Sequence, residues 1–338
     1  MKAAVVKAFD QPLVIEERPV REPGPGQVLI RLEASGLCGT DVRLVRGDWP
    51  VRPDPPYVPG HEGAGVVIRT GADVTDRRAG ERVAVGWLGW ACGACRYCLT
   101  GQETLCPRQR NTSLGTDGLH AEYAVAEAAF CVPVPADLDP LDAAPLACAG
   151  VTAHRAVRTA GVRTGDLVAV VGIGGDGHLA VQYAEVAGGT IIAVDVDDDK
   201  LEVARDLGAA HTVNARRSDP VRYLRELGGA HAAIVAAPDA RAAEQAYESL
   251  RPGGRLTLVA LPHDDTMTVP ILRTALRGIS VRGAGAGSRA DVADVFALHA
   301  AGRATLIRHR YRLPDVNDAI GELGAGRAIG RVVFDLRS

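Results

Sequence analysis

Four of the seven cysteines fall close together, as Cys92, Cys95, Cys98 and Cys106 in WACGACRYCLTGQETLC. Spacings of three, three and eight let one loop wrap a single ion, and four thiolates at tetrahedral geometry suit a closed structural Zn²⁺ site. An iron–sulfur cluster is the competing occupant of such ligands. Either one orders a loop and does no catalysis. A second set is dispersed: Cys38 in GLCGTD, His61 beside Glu62 in PGHEG, and Cys148 in PLACAG. Two thiolates and one imidazole leave a fourth position open for water or substrate, as a catalytic zinc requires to polarise an alcohol or carbonyl oxygen. No spacing joins these three, and each taken singly reads more readily as a core residue.

A third motif is GIGGDG, with Gly172, Gly174, Gly175, Asp176 and Gly177 between an apolar run and a helical segment, and Asp195 closing the next apolar run. Glycines permit a tight turn and close approach of a pyrophosphate, whose charge the helix N-terminus favours. An acidic residue about 20 positions on binds the adenosine ribose hydroxyls. A carboxylate there repels a 2′-phosphate, so Asp195 argues for NAD over NADP. Lys200, five residues later, is placed to lie along the adenine or to be a solvated helix residue. The remaining histidines, His120 among them, form no further ligand spacing and read as structural, and Cys131 reads as a small core residue.

The elements that must position these residues fall into two patterns. Short apolar runs at 2–6, 27–32, 63–68, 82–85 and 121–125, separated by turns such as Glu22-Pro-Gly-Pro-Gly, predict a mostly β domain over 1–149. From 145 a helical stretch to 160 leads to runs at 167–172, 190–196, 232–236 and 255–260, with VRGAG at 281 closing the series. Strands alternating with helices predict a parallel sheet wrapped by helices over 150–287. The tail 288–338, ending in GRVVFDL, has no place in a six-strand order and is expected to return to the first domain.

Composition narrows the function. The 38 Lys plus Arg against 41 Asp plus Glu give a net charge of -3, which offers no electrostatic reason for a nucleic-acid or anionic-membrane partner. No apolar run approaches the roughly 18 residues needed to span a bilayer, and the N-terminus turns acidic before a signal-peptide core forms, so a cytoplasmic protein is expected.

Where the motifs meet, the chain resembles the zinc-dependent medium-chain alcohol dehydrogenases, notably their bacterial and yeast tetrameric branch. The likeness runs through GLCGTD, GDWP, PGHEGAGVV, WLGWACGACRYC, LACAGVTAHRA, VVGIGGDGHLAVQYA and GRVVFDL. It implies an α/β protein: a GroES-like β-rich catalytic domain plus a Rossmann domain with a doubly wound parallel sheet. It also implies two Zn²⁺ per chain, one catalytic on Cys38, His61 and Cys148, one structural on the four clustered cysteines. By the same carry-over Glu62 and Asp41 stand behind the catalytic ligands and Thr40 accepts the alcohol proton. Thr152 lies by the nicotinamide, Arg331 reaches the pyrophosphate, and Trp49 and Trp87 narrow the substrate pocket. The implied substrate is a small or slender alcohol or its aldehyde or ketone, and the implied assembly a homo-oligomer, tetramer or dimer.

Two positions depart from the family. Arg43 stands where a histidine usually passes the proton from Thr40 and the ribose to solvent, and a guanidinium with pKa above about 12 cannot act as that base. Asp176 stands where an aliphatic residue packs against the nicotinamide ring, and a carboxylate there favours the cationic oxidised ring. The leading reading is an NAD-dependent zinc alcohol dehydrogenase. A specialised-pathway reductase or redox-neutral catalyst with altered chemistry at Asp176 and Arg43 is the alternative, and a low-turnover NAD-binding sensor or partner protein a third.

Overall fold

The run at 167–171 becomes the strand Leu167–Val171, with Val168, Ala169 and Val170 wholly buried in the computed structural model, which describes residues 1–337. It pairs in parallel on both edges, with Thr190–Asp195 and with Ala230–Val235. The sheet runs His211–Asn214, Thr190–Asp195, Leu167–Val171, Ala230–Val235, Leu250–Leu258, Ser280–Gly283, and every pairing in it is parallel. Helices on a sheet's two faces bury both sides of each strand, which is why these strands read as continuous apolar runs rather than alternating ones. The intervening helices open on aspartate caps: Asp197 accepts from the Asp199 N–H, Asp219 from Val221 and Asp239 from Ala242. This strand order, reversing beside Leu167–Val171, is the doubly wound order expected of a dinucleotide-binding sheet.

The structure divides into two compact units: residues 1–151 with 286–302 and 306 onward, and residues 152–285 with 303–305. At the centre of the first unit's sheet lies Gln27–Leu37. Gly63–Thr70 and Arg331–Asp335 flank it, both antiparallel, and Tyr123–Glu127 pairs with its first half. Val28, Ile30 and Leu32 project with period two into a core shared with Val67, Val83 and Val85. Further along, Leu37 joins Val332, Phe334, Val45 and Val316 in a second cluster. Burying side chains of this size stabilises by roughly 1.5–3 kcal/mol each, so the C-terminal strand is part of the frame that carries Cys38.

One expected element differs. Instead of a single helix over 145–160 the chain forms Pro140–Pro145, then a π-helical turn Leu146–Gly150, then the α-helix Val151–Ala160. Pro145 has no N–H to give and its ring crowds the preceding turn, so the ladder widens there. The widened turn carries Cys148. Among the described residues no helix is long and apolar enough to cross a membrane.

Candidate active site

Cys38 directly follows the central strand Gln27–Leu37 and caps the helix Gly39–Arg46. His61 lies just before Gly63–Thr70, and Cys148 comes from the π-helical turn. Cys148 Sγ lies 3.3 Å from His61 Nε2 and 4.0 Å from Cys38 Sγ. A tetrahedral ion with bonds of about 2.3 Å to sulfur and about 2.0 Å to nitrogen sets S···S near about 3.8 Å and S···N near about 3.5 Å. The donor set therefore fits zinc in both chemistry and spacing, with one coordination position left over.

Asp41 organises these ligands. Its Oδ1 accepts from His61 Nδ1 at 2.8 Å and its Oδ2 accepts from the Cys38 backbone N–H at 3.0 Å. With Nδ1 held by Asp41, Nε2 is turned toward the Cys148 thiol. Burial opposes charge on His61, yet the Asp41 carboxylate lifts the imidazole well above its ordinary range. The Cys38 thiol is drawn well below the usual thiol range by the hydrogen bond from Cys148, with the charges of Arg331 and His61 adding to it.

Glu62 is wholly buried behind the ligands and paired with Arg331, whose Nη2 donates to Oε1. Burial pushes the Glu62 carboxyl up to about 8 in spite of that guanidinium. The room it needs comes from Gly36, where a Cβ would sit 2.5 Å from Glu62 Cδ. The resemblance assigns Arg331 to the pyrophosphate; the structure gives its guanidinium this carboxylate.

Beside the three ligands the Trp87 ring stands edge-on to His61, centroids 5.0 Å apart, and the Trp49 ring stands edge-on to Trp87 at 6.3 Å. The Arg43 guanidinium lies over Trp49, 5.0 Å from its centroid, and donates to the Asp48 carbonyl at 3.3 Å. Thr40, half-buried, sits in the first turn after Cys38. The ligands, both tryptophans, Thr40 and Arg43 thus belong to one neighbourhood of the first unit.

The clustered cysteines also converge. Cys98 Sγ lies 3.6 Å from Cys95 Sγ and 3.9 Å from Cys92 Sγ, and Cys106 completes a four-sulfur group. The spacing again fits a tetrahedral zinc. Cys92 is drawn down to about 5, chiefly by the Ala94 backbone N–H. Glu103, on the same lobe, receives the Arg289 guanidinium at 2.7 Å and the Arg289 backbone N–H at 2.9 Å. This long-range pair was not legible from spacing.

In the second unit Gly172 adopts φ +90°, and a Cβ on Gly177 would sit 1.8 Å from the Gly172 carbonyl oxygen. Only glycine closes this turn. Gly174 and Gly175 lie between them, and Asp176 precedes the helix Gly177–Val186 without capping it through its side chain. Asp195, at the tip of its strand, accepts from the backbone N–H of Ile173 at 2.6 Å, Val196 at 2.7 Å and Asp197 at 3.1 Å. Turn and carboxylate are thus one hydrogen-bonded unit suited to a dinucleotide. Lys200 lies in the helix Asp198–Asp206, and Thr152 in Val151–Ala160.

Residues 24–136 match the alcohol dehydrogenase GroES-like domain, and residues 175–301 the zinc-binding dehydrogenase domain. An alcohol dehydrogenase of Geobacillus stearothermophilus is 44% identical, over 100% of this chain and 99% of the relative. One of Rhizobium meliloti is 46% identical over 99% of each. Among solved structures the alcohol dehydrogenase of the archaeon Aeropyrum pernix superimposes with a TM-score of 0.91 at 31% identity, covering 99% of this chain and 100% of that one. The chain belongs to the zinc-dependent medium-chain alcohol dehydrogenase family.

Proposed function

We propose that the protein interconverts a small or slender alcohol with its aldehyde or ketone by hydride transfer with NAD(H), using zinc held by Cys38, His61 and Cys148. The observation that carries this reading is the convergence of those three side chains with one coordination position left over, beside Trp87. When bound, zinc supplies a Lewis acid for the substrate oxygen and NAD a hydride acceptor. Asp41 orients the His61 ring, and the Thr40 hydroxyl takes the proton of the alcohol. Trp49 and Trp87 restrict the width of what enters. Gly172, Gly174, Gly175 and Gly177 cradle the pyrophosphate, Asp195 the ribose hydroxyls and Lys200 the adenine, with Thr152 by the nicotinamide. A second zinc on Cys92, Cys95, Cys98 and Cys106 keeps its lobe ordered.

The test is a panel of alcohols, aldehydes and ketones followed by NADH absorbance, with NADP(H) compared. Turnover of linear short alcohols with NAD is expected. No turnover of any member by zinc-loaded protein, with NAD still bound, would favour the sensor reading.

A homo-oligomer accompanies this reading. Ser280–Gly283 is an edge strand of the parallel sheet, and the nearby helix Ile271–Arg277 exposes Ile271, Leu272 and Leu276 at 85%, 73% and 79%. An unpaired edge beside an apolar helix suits a second copy of the chain. Leu276→Asp is expected to yield a smaller species in sedimentation; an unchanged sedimentation coefficient would place the contact elsewhere. All seven cysteines are free of disulfides, which suits a reducing compartment such as the cytoplasm.

A further inference from the structure

Neither metal group nor the nucleotide turn uses His120, yet its surroundings are specific. The residue is wholly buried. Nδ1 and Ser35 Oγ share a 2.8 Å hydrogen bond, and the ring stands edge-on to Phe334 with centroids 5.1 Å apart. The ring also occupies the space beside Gly60, where a Cβ would lie 2.6 Å from Nδ1 on a backbone with φ +102°. Gly60 immediately precedes the ligand His61. The other nitrogen, Nε2, has no hydrogen-bond partner among the described residues and faces Asp41 Oδ2 at 4.0 Å. Asp41 is the group that holds the His61 ring.

Ser35, His120 and Asp41 are the residue types of a hydrolytic triad, but all three are 0% exposed, so no substrate reaches the hydroxyl. Their arrangement serves the carboxylate instead. Burial pushes the His120 imidazole down to about 4, so near neutral pH it is uncharged and carries one proton. With the Ser35 hydroxyl donating to Nδ1, that proton sits on Nε2, and its N–H dipole points at Asp41. At this separation the contact is beyond hydrogen-bond range, but charge–dipole attraction is strengthened where water is excluded. Asp41 accepts from both His61 Nδ1 and the Cys38 backbone N–H, and the dipole points at the carboxylate that makes both bonds.

We propose that His120 is a positioning residue for the metal ligand His61, acting through Asp41 and through the Gly60 backbone. The inference rests on the reading of Cys38, His61 and Cys148 as a zinc site.

The experiment uses the full chain loaded with zinc and, separately, with cobalt(II). It compares the native protein with His120→Asn and His120→Gln. A glutamine amide reaches where Nε2 lay and restores a donor toward Asp41; an asparagine amide reaches only the Nδ1 position and restores the partner of Ser35. Metal retention is read by chelator competition, and ligand geometry by the cobalt absorption of the two-sulfur, one-nitrogen site, with the four-sulfur site as internal reference. His120→Asn is expected to release that metal about tenfold more readily and to alter its cobalt bands, the size usual for residues that orient a ligand. His120→Gln is expected to stay within about threefold of native. If His120→Asn does not fold, His120→Phe, of similar ring shape without nitrogens, takes its place with the same expectation. Equal retention in all variants, or equal loss in His120→Gln and in His120→Asn or the phenylalanine variant that replaces it, would overturn the proposal and leave a packing role. A native chain that fills only the four-sulfur site would overturn the zinc reading, and this inference with it.

Discussion

Cys148 Sγ stands 3.3 Å from His61 Nε2, although 87 residues separate them in the chain. The π-helical turn after Pro145 and the loop before Gly63–Thr70 bring them together, so a site of this kind exists only in the folded chain. The four-cysteine group is local and should behave differently. Cys148→Ser is expected to remove one zinc per chain and abolish turnover while the fold persists. Cys98→Ser is expected to remove the other and to lower stability by roughly 2 kcal/mol or more, since metal binding there contributes to folding. Metal analysis with thermal unfolding checks both. A native protein holding one ion, on the clustered cysteines alone, would end the case for a catalytic zinc.

How much of this was legible in the sequence follows from the range of each interaction. Leu167–Val171 and its parallel neighbours were readable because burial on both faces leaves uninterrupted apolar runs. The turn from Gly172 to Gly177 was readable because backbone geometry demands glycine within a few residues. Cys92, Cys95 and Cys98 were readable because their spacing is itself the geometry of the site. Cys38, His61 and Cys148 were weak singly and became a set through resemblance, since nothing local ties them together. The Pro145 break, the Glu103–Arg289 pair and the place of His120 behind Asp41 were not readable, because each depends on segments far apart in the chain.

In the proposed reading, cofactor choice turns on Asp195. Three backbone N–H groups hold its carboxylate at the end of the strand, and on the proposed reading that charge repels a 2′-phosphate. NAD is therefore expected to be preferred over NADP. Asp195→Ser is expected to shrink that preference by roughly tenfold or more, chiefly through the cofactor's Michaelis constant. Equal kcat/KM for both cofactors in the native protein would contradict it.

Arg43 bears on the pH profile. Its guanidinium is occupied with the Trp49 ring and the Asp48 carbonyl, and a guanidinium does not serve as a proton-relaying base. On the proposed reading, no imidazole at this position then takes up the proton that Thr40 releases. Alcohol oxidation is expected to rise toward alkaline pH without an inflection near about 6.5, the reference value of an imidazole. Arg43→His is expected to introduce that inflection and to speed oxidation near neutral pH. An unchanged rate in the variant, at unchanged NAD affinity, would mean that proton relay does not limit the enzyme.

Asp176 carries the boldest expectation. It stands at the start of the helix Gly177–Val186, where an aspartate would ordinarily cap, yet its side chain makes no capping bond. The family places an aliphatic residue here, against the nicotinamide. An ionised carboxylate in that place stabilises the positive charge of NAD⁺ and has no such partner in NADH. A unit charge about 4 Å from the ring, at an effective dielectric of about 20, corresponds to roughly 4 kcal/mol before desolvation is subtracted. Even a quarter of that, about 1 kcal/mol, would shift the ratio of the two dissociation constants about fivefold. The native protein is therefore expected to bind NAD⁺ comparatively well and to make it a comparatively poor hydride acceptor. Asp176→Leu should tighten NADH relative to NAD⁺, speed alcohol oxidation and leave zinc content unchanged. Titration of both cofactors against the native and variant proteins decides the matter, since an unaltered NAD⁺ to NADH ratio would mean that the carboxylate does not sense the ring.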